Sequence, residues 1–169
     1  MTARLTRIRA VFFDVDGVLT DGKIYLGREE EMKAFSARDG LAVRMACEAG
    51  IDVFLVTGRT STAVARRADE LGVRVFQGVR DKLSCVRSVC EKRGYGLAEA
   101  AFVGDDLPDV SAMREVGVAW AVADGVAEVK DVAHLTTASR GGEGVAREVI
   151  EKIMRSQGKW QESVKQFLK

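Results

Sequence analysis

The stretch Ala10-Val11-Phe12-Phe13-Asp14-Val15-Asp16-Gly17 decides the fold. Four apolar residues in a row, without alternation, read as a short strand covered on both faces, as parallel strands are. Two aspartates and a glycine then end the run as a turn. The same form recurs downstream. Ile51-Asp52-Val53-Phe54-Leu55-Val56 stops at Thr57-Gly58-Arg59, and shorter runs follow at 73–76, 100–103, 118–122 and 134–136. His134, the only histidine, opens the last run and reads as a strand residue, not a ligand.

The spacers carry helical periodicity. Leu41, Met45, Ala46 and Ala49 share a face and Gly50 follows; Val64, Ala68 and Leu71 do the same before Gly72. Leu83, Val86, Val89 and Cys90 form a stripe between Asp81 and Gly94, and Val145, Val149, Ile150 and Ile153 form the last. Pro108, the only proline, sits where a helix would begin after Gly104-Asp105-Asp106. Strand and helix alternate, which predicts an α/β, Rossmann-like, three-layer parallel sheet with helices on both faces. Residues 1–169 read as one domain.

One segment, about 18–35, breaks the alternation. Lys23-Ile24-Tyr25-Leu26 and Met32-Lys33-Ala34-Phe35 flank a polar turn, which predicts a small β-hairpin inserted after strand one. Glu29-Glu30-Glu31 reads as its solvated tip. The hairpin's apolar residues need a surface, either their own domain or a partner subunit. The tail, about 157–169, has Trp160, Val164, Phe167 and Leu168 at helical spacing. It packs on its own subunit or reaches a neighbouring site.

Composition narrows the function. Among 169 residues, 26 Lys plus Arg oppose 25 Asp plus Glu, a net charge of +1 that argues against a nucleic-acid footprint. No run approaches the ~20 apolar residues that span a bilayer, and the short run after Arg4, Arg7 and Arg9 is no leader core. Three cysteines, Cys47, Cys85 and Cys90, are too few for a disulfide framework and fit a reducing cytoplasm.

In open α/β sheets ligands bind beyond the carboxyl ends of the strands. Asp14 and Asp16, Thr57, and Asp105 and Asp106 all follow such ends, and Lys82 can reach that edge. Converging carboxylates repel unless a cation joins them, and hard oxygen ligands around an open site suit Mg²⁺. One carboxylate can then attack phosphorus and a second, two residues on, can move the proton. Lys82 would neutralise charge, and Thr57 would hold phosphate oxygens or simply cap the next helix. Asp109 reads as support for the metal site or as a helix first-turn carboxylate.

Asp14-Val15-Asp16-Gly17-Val18-Leu19-Thr20-Asp21-Gly22, Thr57-Gly58-Arg59, Lys82 and Gly104-Asp105-Asp106-Leu107-Pro108-Asp109 resemble, in order, motifs one to four of the haloacid dehalogenase superfamily. The resemblance implies Asp14 as nucleophile, Asp16 as acid/base, and Mg²⁺ held by Asp14, the Asp16 carbonyl and Asp105. It implies Thr57, Gly58, Arg59 and Lys82 as substrate or phosphate binders, with Asp106 and Asp109 in support. Too few residues separate the first two motifs for a helical cap. The hairpin entry Leu19-Thr20-Asp21-Gly22, Phe35-Ser36-Ala37-Arg38-Asp39-Gly40 and Gly141-Gly142-Glu143-Gly144-Val145-Ala146-Arg147-Glu148 resemble the capless branch, similar to the 3-deoxy-D-manno-octulosonate 8-phosphate (KDO 8-phosphate) phosphatases.

That branch implies a sugar-acid phosphate substrate and a homotetramer whose hairpins cover neighbouring active sites. Arg38 is either part of a salt-bridged loop with Asp39 or a contact to the substrate carboxylate. Glu143 stands where these phosphatases commonly carry Arg, whereas Arg59 leans toward the eight-carbon sugar, since relatives acting on nonulosonate 9-phosphates tend to be acidic there. The alternatives are a phosphatase for such a 9-phosphate, one of broad specificity, or a non-enzymatic regulatory or assembly domain of the same fold. A receiver domain would have its phosphorylated Asp on a middle strand, after the acidic pair.

Overall fold

The structure of the protein is a computed structural model describing residues 1–27 and 31–168. In chain order its elements are α1 Thr2–Leu5, β1 Ala10–Phe13, β2 Tyr25–Leu26, β3 Glu31–Met32, α2 Ala37–Glu48, β4 Asp52–Val56, α3 Thr62–Leu71 and β5 Arg74–Phe76. There follow α4 Lys82–Arg93, β6 Ala100–Gly104, α5 Val110–Glu115, β7 Val118–Ala121, α6 Ala127–Val132, β8 Leu135–Thr136, α7 Val145–Ser156 and α8 Trp160–Lys165. Short 3₁₀ turns, Leu97–Glu99 and Leu107–Asp109, precede β6 and α5.

Six strands make one parallel sheet in the order β5-β4-β1-β6-β7-β8. Phe12 of β1 lies opposite Phe54 of β4 on one side and Phe102 of β6 on the other. The chain winds outward from β1 to β4 and β5, then returns to β6 and winds the other way. The reversal therefore falls between β1 and β6, where the loops after two adjacent strands diverge and open a crevice.

Side-chain alternation in β1 feeds both layers. Val11 and Phe13 enter a core with Leu55, Val103, Trp120 and the inner faces of α2, α3 and α7. Ala10 and Phe12 enter the opposite core with Phe54, Phe102 and residues of α4, α5 and α6. Phe12, Phe13 and Phe102 are fully buried, each worth ~1.5–3 kcal/mol of apolar burial. Helix ends follow the sequence signals. Ser36 and Asp81 cap α2 and α4 by accepting from Asp39 N and Ser84 N, while Gly72 and Gly94 close α3 and α4 at φ 68° and 69°.

Several expectations need correction. Ile51, Val73, Val122 and His134 flank β4, β5, β7 and β8 instead of belonging to them. Arg38 and Asp39 are not a salt-bridged loop but the first turn of α2, and the buried Asp39 accepts from Arg147 N at 2.8 Å, at the start of α7. Helices α1 and α6 are too short to leave a periodic stripe.

The hairpin has two residues per strand, with Tyr25 opposite Met32 and Leu26 opposite Glu31. Glu29 and Glu30, expected at its tip, lie outside the described residues. Glu31 is not solvated as expected: it is half-buried and ion-paired with Lys33 and Arg59. Ile24, Leu26 and Met32 stay exposed. At the other end, Trp160 is buried on its own subunit against α7, the Arg147 guanidinium 4.5 Å from its ring centroid, while Phe167 and Leu168 are exposed. Among the described residues no helix is long and apolar enough to cross a membrane.

Candidate active site

The sheet ladder sets the first functional side chain. Asp14 N donates to Val103 O at 3.0 Å, extending the β1–β6 pairing one residue past the strand. The chain then turns sharply, with Val18, Leu19 and Thr20 donating back to Val15 O. Gly17 sits in this turn at φ 90°, and a Cβ there would come within 2.1 Å of Asp105 Oδ2. Only glycine allows the β1 turn and the β6 loop to approach so closely.

Behind β6, Asp109 braces the loop. Its Oδ2 accepts Asp105 N at 3.0 Å and Asp106 N at 3.3 Å, and its Oδ1 accepts Lys82 Nζ at 2.6 Å. Lys82 Nζ also donates to Asp14 Oδ1 at 2.8 Å. Lys82, at the first position of α4, is buried. Asp106 Oδ1 accepts Leu107 N at 2.8 Å and thereby caps the 3₁₀ turn.

Asp14, Asp105 and Asp109 each bring an oxygen within 4.8 Å of the others. Burial, followed by the charge of Asp109, pushes Asp14 up to about 6 against the pull of Lys82. Burial and the charges of Asp14 and Asp109 push Asp105 up to about 8. Burial opposes the Lys82 charge, but Asp14 and Asp109 hold its ammonium above the ordinary lysine value. Asp105 Oδ1 is buried without a hydrogen-bond partner. A crowded carboxylate cluster with an orphaned oxygen fits a hard divalent cation such as Mg²⁺. Asp109 spends both oxygens on Lys82 and two amides, whereas Asp14 meets Lys82 through Oδ1 and Asp105 keeps Oδ1 unpartnered.

Thr57 follows β4 and is buried, its N donating to Phe76 O at 2.9 Å and its Oγ1 accepting from Arg59 N at 3.3 Å. It does not cap α3, whose N-cap is Ser61. A pocket of about 300 Å³ is lined by Asp14, Asp16, Thr57, Gly58, Arg59 and Lys82, and closed by Asp105, Asp106, Asp109 and their neighbours. Arg38 is not brought there. It lines a separate cleft of about 440 Å³ with Glu143 and Arg147 at the start of α7. His134 is also remote, its Nδ1 accepting from Ala119 N at 3.0 Å.

Two residues that pair with the pocket's Asp16 and Arg59, Lys33 and Glu31, are not singled out by the sequence. Asp16 Oδ1 is ion-paired with Lys33 Nζ, which lies 2.8 Å from Glu31 Oε1; Glu31 Oε2 accepts from Arg59 Nη2 at 2.5 Å. Their signal was parity. Phe35 packs on the core, so Lys33 and Glu31, two and four residues earlier, face inward with it.

The profile of the haloacid dehalogenase-like hydrolases matches residues 73–149. The 3-deoxy-D-manno-octulosonate 8-phosphate phosphatase of Escherichia coli (strain K12) is 40% identical over 163 residues, 95% of this chain and 87% of that protein. With the parallel sheet and the acidic edge already described, these matches establish that the chain belongs to the haloacid dehalogenase-like hydrolase family. Within it, two solved structures are similar over most of their length. The Moraxella catarrhalis 3-deoxy-D-manno-octulosonate 8-phosphate phosphatase, in complex with magnesium ion, phosphate ion and KDO, superposes with a TM-score of 0.95 at 38% identity, covering 98% of this chain and 97% of that one. The Yersinia pestis phosphatase of the same name gives 0.92 at 38% identity, covering 95% and 88%.

Proposed function

We propose that the protein is a Mg²⁺-dependent phosphatase that hydrolyses a sugar-acid phosphate monoester, KDO 8-phosphate, to KDO and phosphate. The observation that carries the reading is Lys82 bridging Asp14 and Asp109 beside an Asp105 oxygen that no donor satisfies. The similarity to KDO 8-phosphate phosphatases supports the substrate.

In this reading the Asp14 carboxylate attacks phosphorus, forming an acyl phosphate as the bond from phosphorus to the sugar oxygen breaks. Asp16 gives that oxygen its proton, then takes one from the water that attacks the acyl phosphate, releasing phosphate and restoring Asp14. Thr57, the Gly58 turn and Lys82 hold the phosphate oxygens, and Arg59 faces the sugar. Asp14, Asp105 and the Asp16 carbonyl would hold Mg²⁺, which supplies positive charge to offset the carboxylates and the phosphoryl group. Asp106 and Asp109 keep the loop in place.

Glu143 lies with Arg38 in a cleft apart from the phosphate pocket, which supports phosphoryl chemistry left intact by the Glu143 departure. The exposed Ile24, Leu26 and Met32 support a homotetramer in which hairpins cover neighbouring sites. Three unpaired cysteines support a reducing, cytoplasmic setting. Phosphate release with Mg²⁺, comparing KDO 8-phosphate, a nonulosonate 9-phosphate and simple sugar phosphates, tests the substrate. KDO 8-phosphate should give the highest kcat/KM. Preference for the 9-phosphate would make Glu143 the mark of a changed pocket and overturn the choice of sugar.

A further inference from the structure

We infer that Glu31, in β3, and Lys33, just after it, are positioning residues: Lys33 fixes the carboxylate of Asp16, and Glu31 fixes the guanidinium of Arg59. The inference rests on the role of Asp16 proposed above. Four side chains from three segments close a ring. Lys33 Nζ pairs with Asp16 Oδ1 and with Glu31 Oε1, at 2.8 Å for the latter. Arg59 completes it, with Nη2 at 2.5 Å from Glu31 Oε2 and Nε at 3.7 Å from Asp16 Oδ2. The Lys33 side chain is 0% exposed, Glu31 16%, Asp16 21% and Arg59 48%.

These exposures assign the tasks. A buried ammonium is costly unless paired, so Lys33 has one favourable position, between two carboxylates, and restrains both. Asp16 lies in the turn after β1. Without Lys33, its only side-chain ion pair among the described residues would be the longer one to Arg59. An acid/base group must stay within hydrogen-bond reach of the proton it moves, and a misplacement of about 1 Å can lower the rate by about 10²-fold. Arg59 is half exposed toward the pocket. Glu31 grips one end of its guanidinium and leaves the rest for a substrate anion. Two cations and two anions cancel within the ring, so it shapes the rim without adding net charge. It also ties the hairpin to the site within a single chain.

The two residues should therefore separate in kinetics measured on the full chain at saturating Mg²⁺ over a range of KDO 8-phosphate concentrations. Lys33→Met should lower kcat by about 10²-fold and leave KM within about threefold, and Lys33→Arg should recover about tenfold of the loss. Glu31→Gln should raise KM by about tenfold with kcat within about threefold. Because Glu31→Gln keeps the side-chain shape, it tests the ring even where Lys33→Met does not fold. Lys33→Met folded with kcat within about threefold of wild type, or Glu31→Gln with unchanged KM, would overturn the inference. A wild-type protein inactive on every phosphate monoester would instead refute the phosphatase reading beneath it.

Discussion

Replacing Lys82 with Met removes the one cation between two buried carboxylates while keeping most of the volume of the stem. Lys82 Nζ is 2.8 Å from Asp14 and 2.6 Å from Asp109, with the side chain 4% exposed. Breaking a buried pair from one side costs about 3–5 kcal/mol, and here Asp105 stands within 4.8 Å of both stranded carboxylates. In a chain of this length 1 kcal/mol moves Tm by about 2–4 °C, so Lys82→Met should lower Tm by roughly 6–20 °C in EDTA at neutral pH. Asp14→Asn in the same background removes one of the facing charges. A double-mutant cycle by thermal unfolding should then give a coupling of about 1–3 kcal/mol. Lys82→Met melting within about 2 °C of wild type, or an additive double mutant, would show that the ammonium does not hold these carboxylates together.

Burial holds Asp39 up at about 6, against the pull of the Arg147 and Ala146 amides and of Arg67. The folded protein therefore keeps a proton that the unfolded chain releases near pH 4, and stability present below that pH is lost as pH rises toward 6. Asp39→Asn should gain on wild type by about 1–3 kcal/mol across that window in urea unfolding, and a constant difference would contradict this. Gly17→Ala places a Cβ 2.1 Å from Asp105 Oδ2 at a φ of 90°, with a backbone cost of about 1–2 kcal/mol. Titration of activity should show Mg²⁺ activation weakened by at least about tenfold, and an unchanged midpoint would contradict it. Gel filtration of the wild type should give a mass well above 18.4 kDa, and Leu26→Asp, at the exposed hairpin, should shift it down. A monomeric wild type would remove the hairpin-covered site.

Strand ends were easy to read because each buried run stops at a polar or glycine-bearing turn. Asp14, Thr57 and Asp105 are therefore legible both as topology and as chemistry, whereas Lys82, at the start of a helix, is legible through the motif order. The interior partnerships were not. Asp39 reads as a loop charge until the start of α7 is seen to donate to it, a contact between residues far apart in sequence. Lys33 carries no signal of its own in the run Met32-Lys33-Ala34-Phe35, and its place beside Asp16 shows only when the packed Phe35 sets which side chains face inward. Arg38, a plausible residue type near a matching motif, lies on α2 beside another cleft of the chain. Sequence pattern locates groups held by the backbone ladder, whereas long side chains need the packed neighbours to show where they point.

In the proposed reaction Asp14 receives the phosphoryl group. Rapid acid quench of the Mg²⁺-loaded enzyme during its first turnover of KDO 8-phosphate, followed by peptide mass spectrometry, tests it directly. A phosphoryl adduct on Asp14 that rises and falls ahead of phosphate release is the predicted result. Phosphate release with no adduct on Asp14 at any time, or an adduct on another residue, would contradict it.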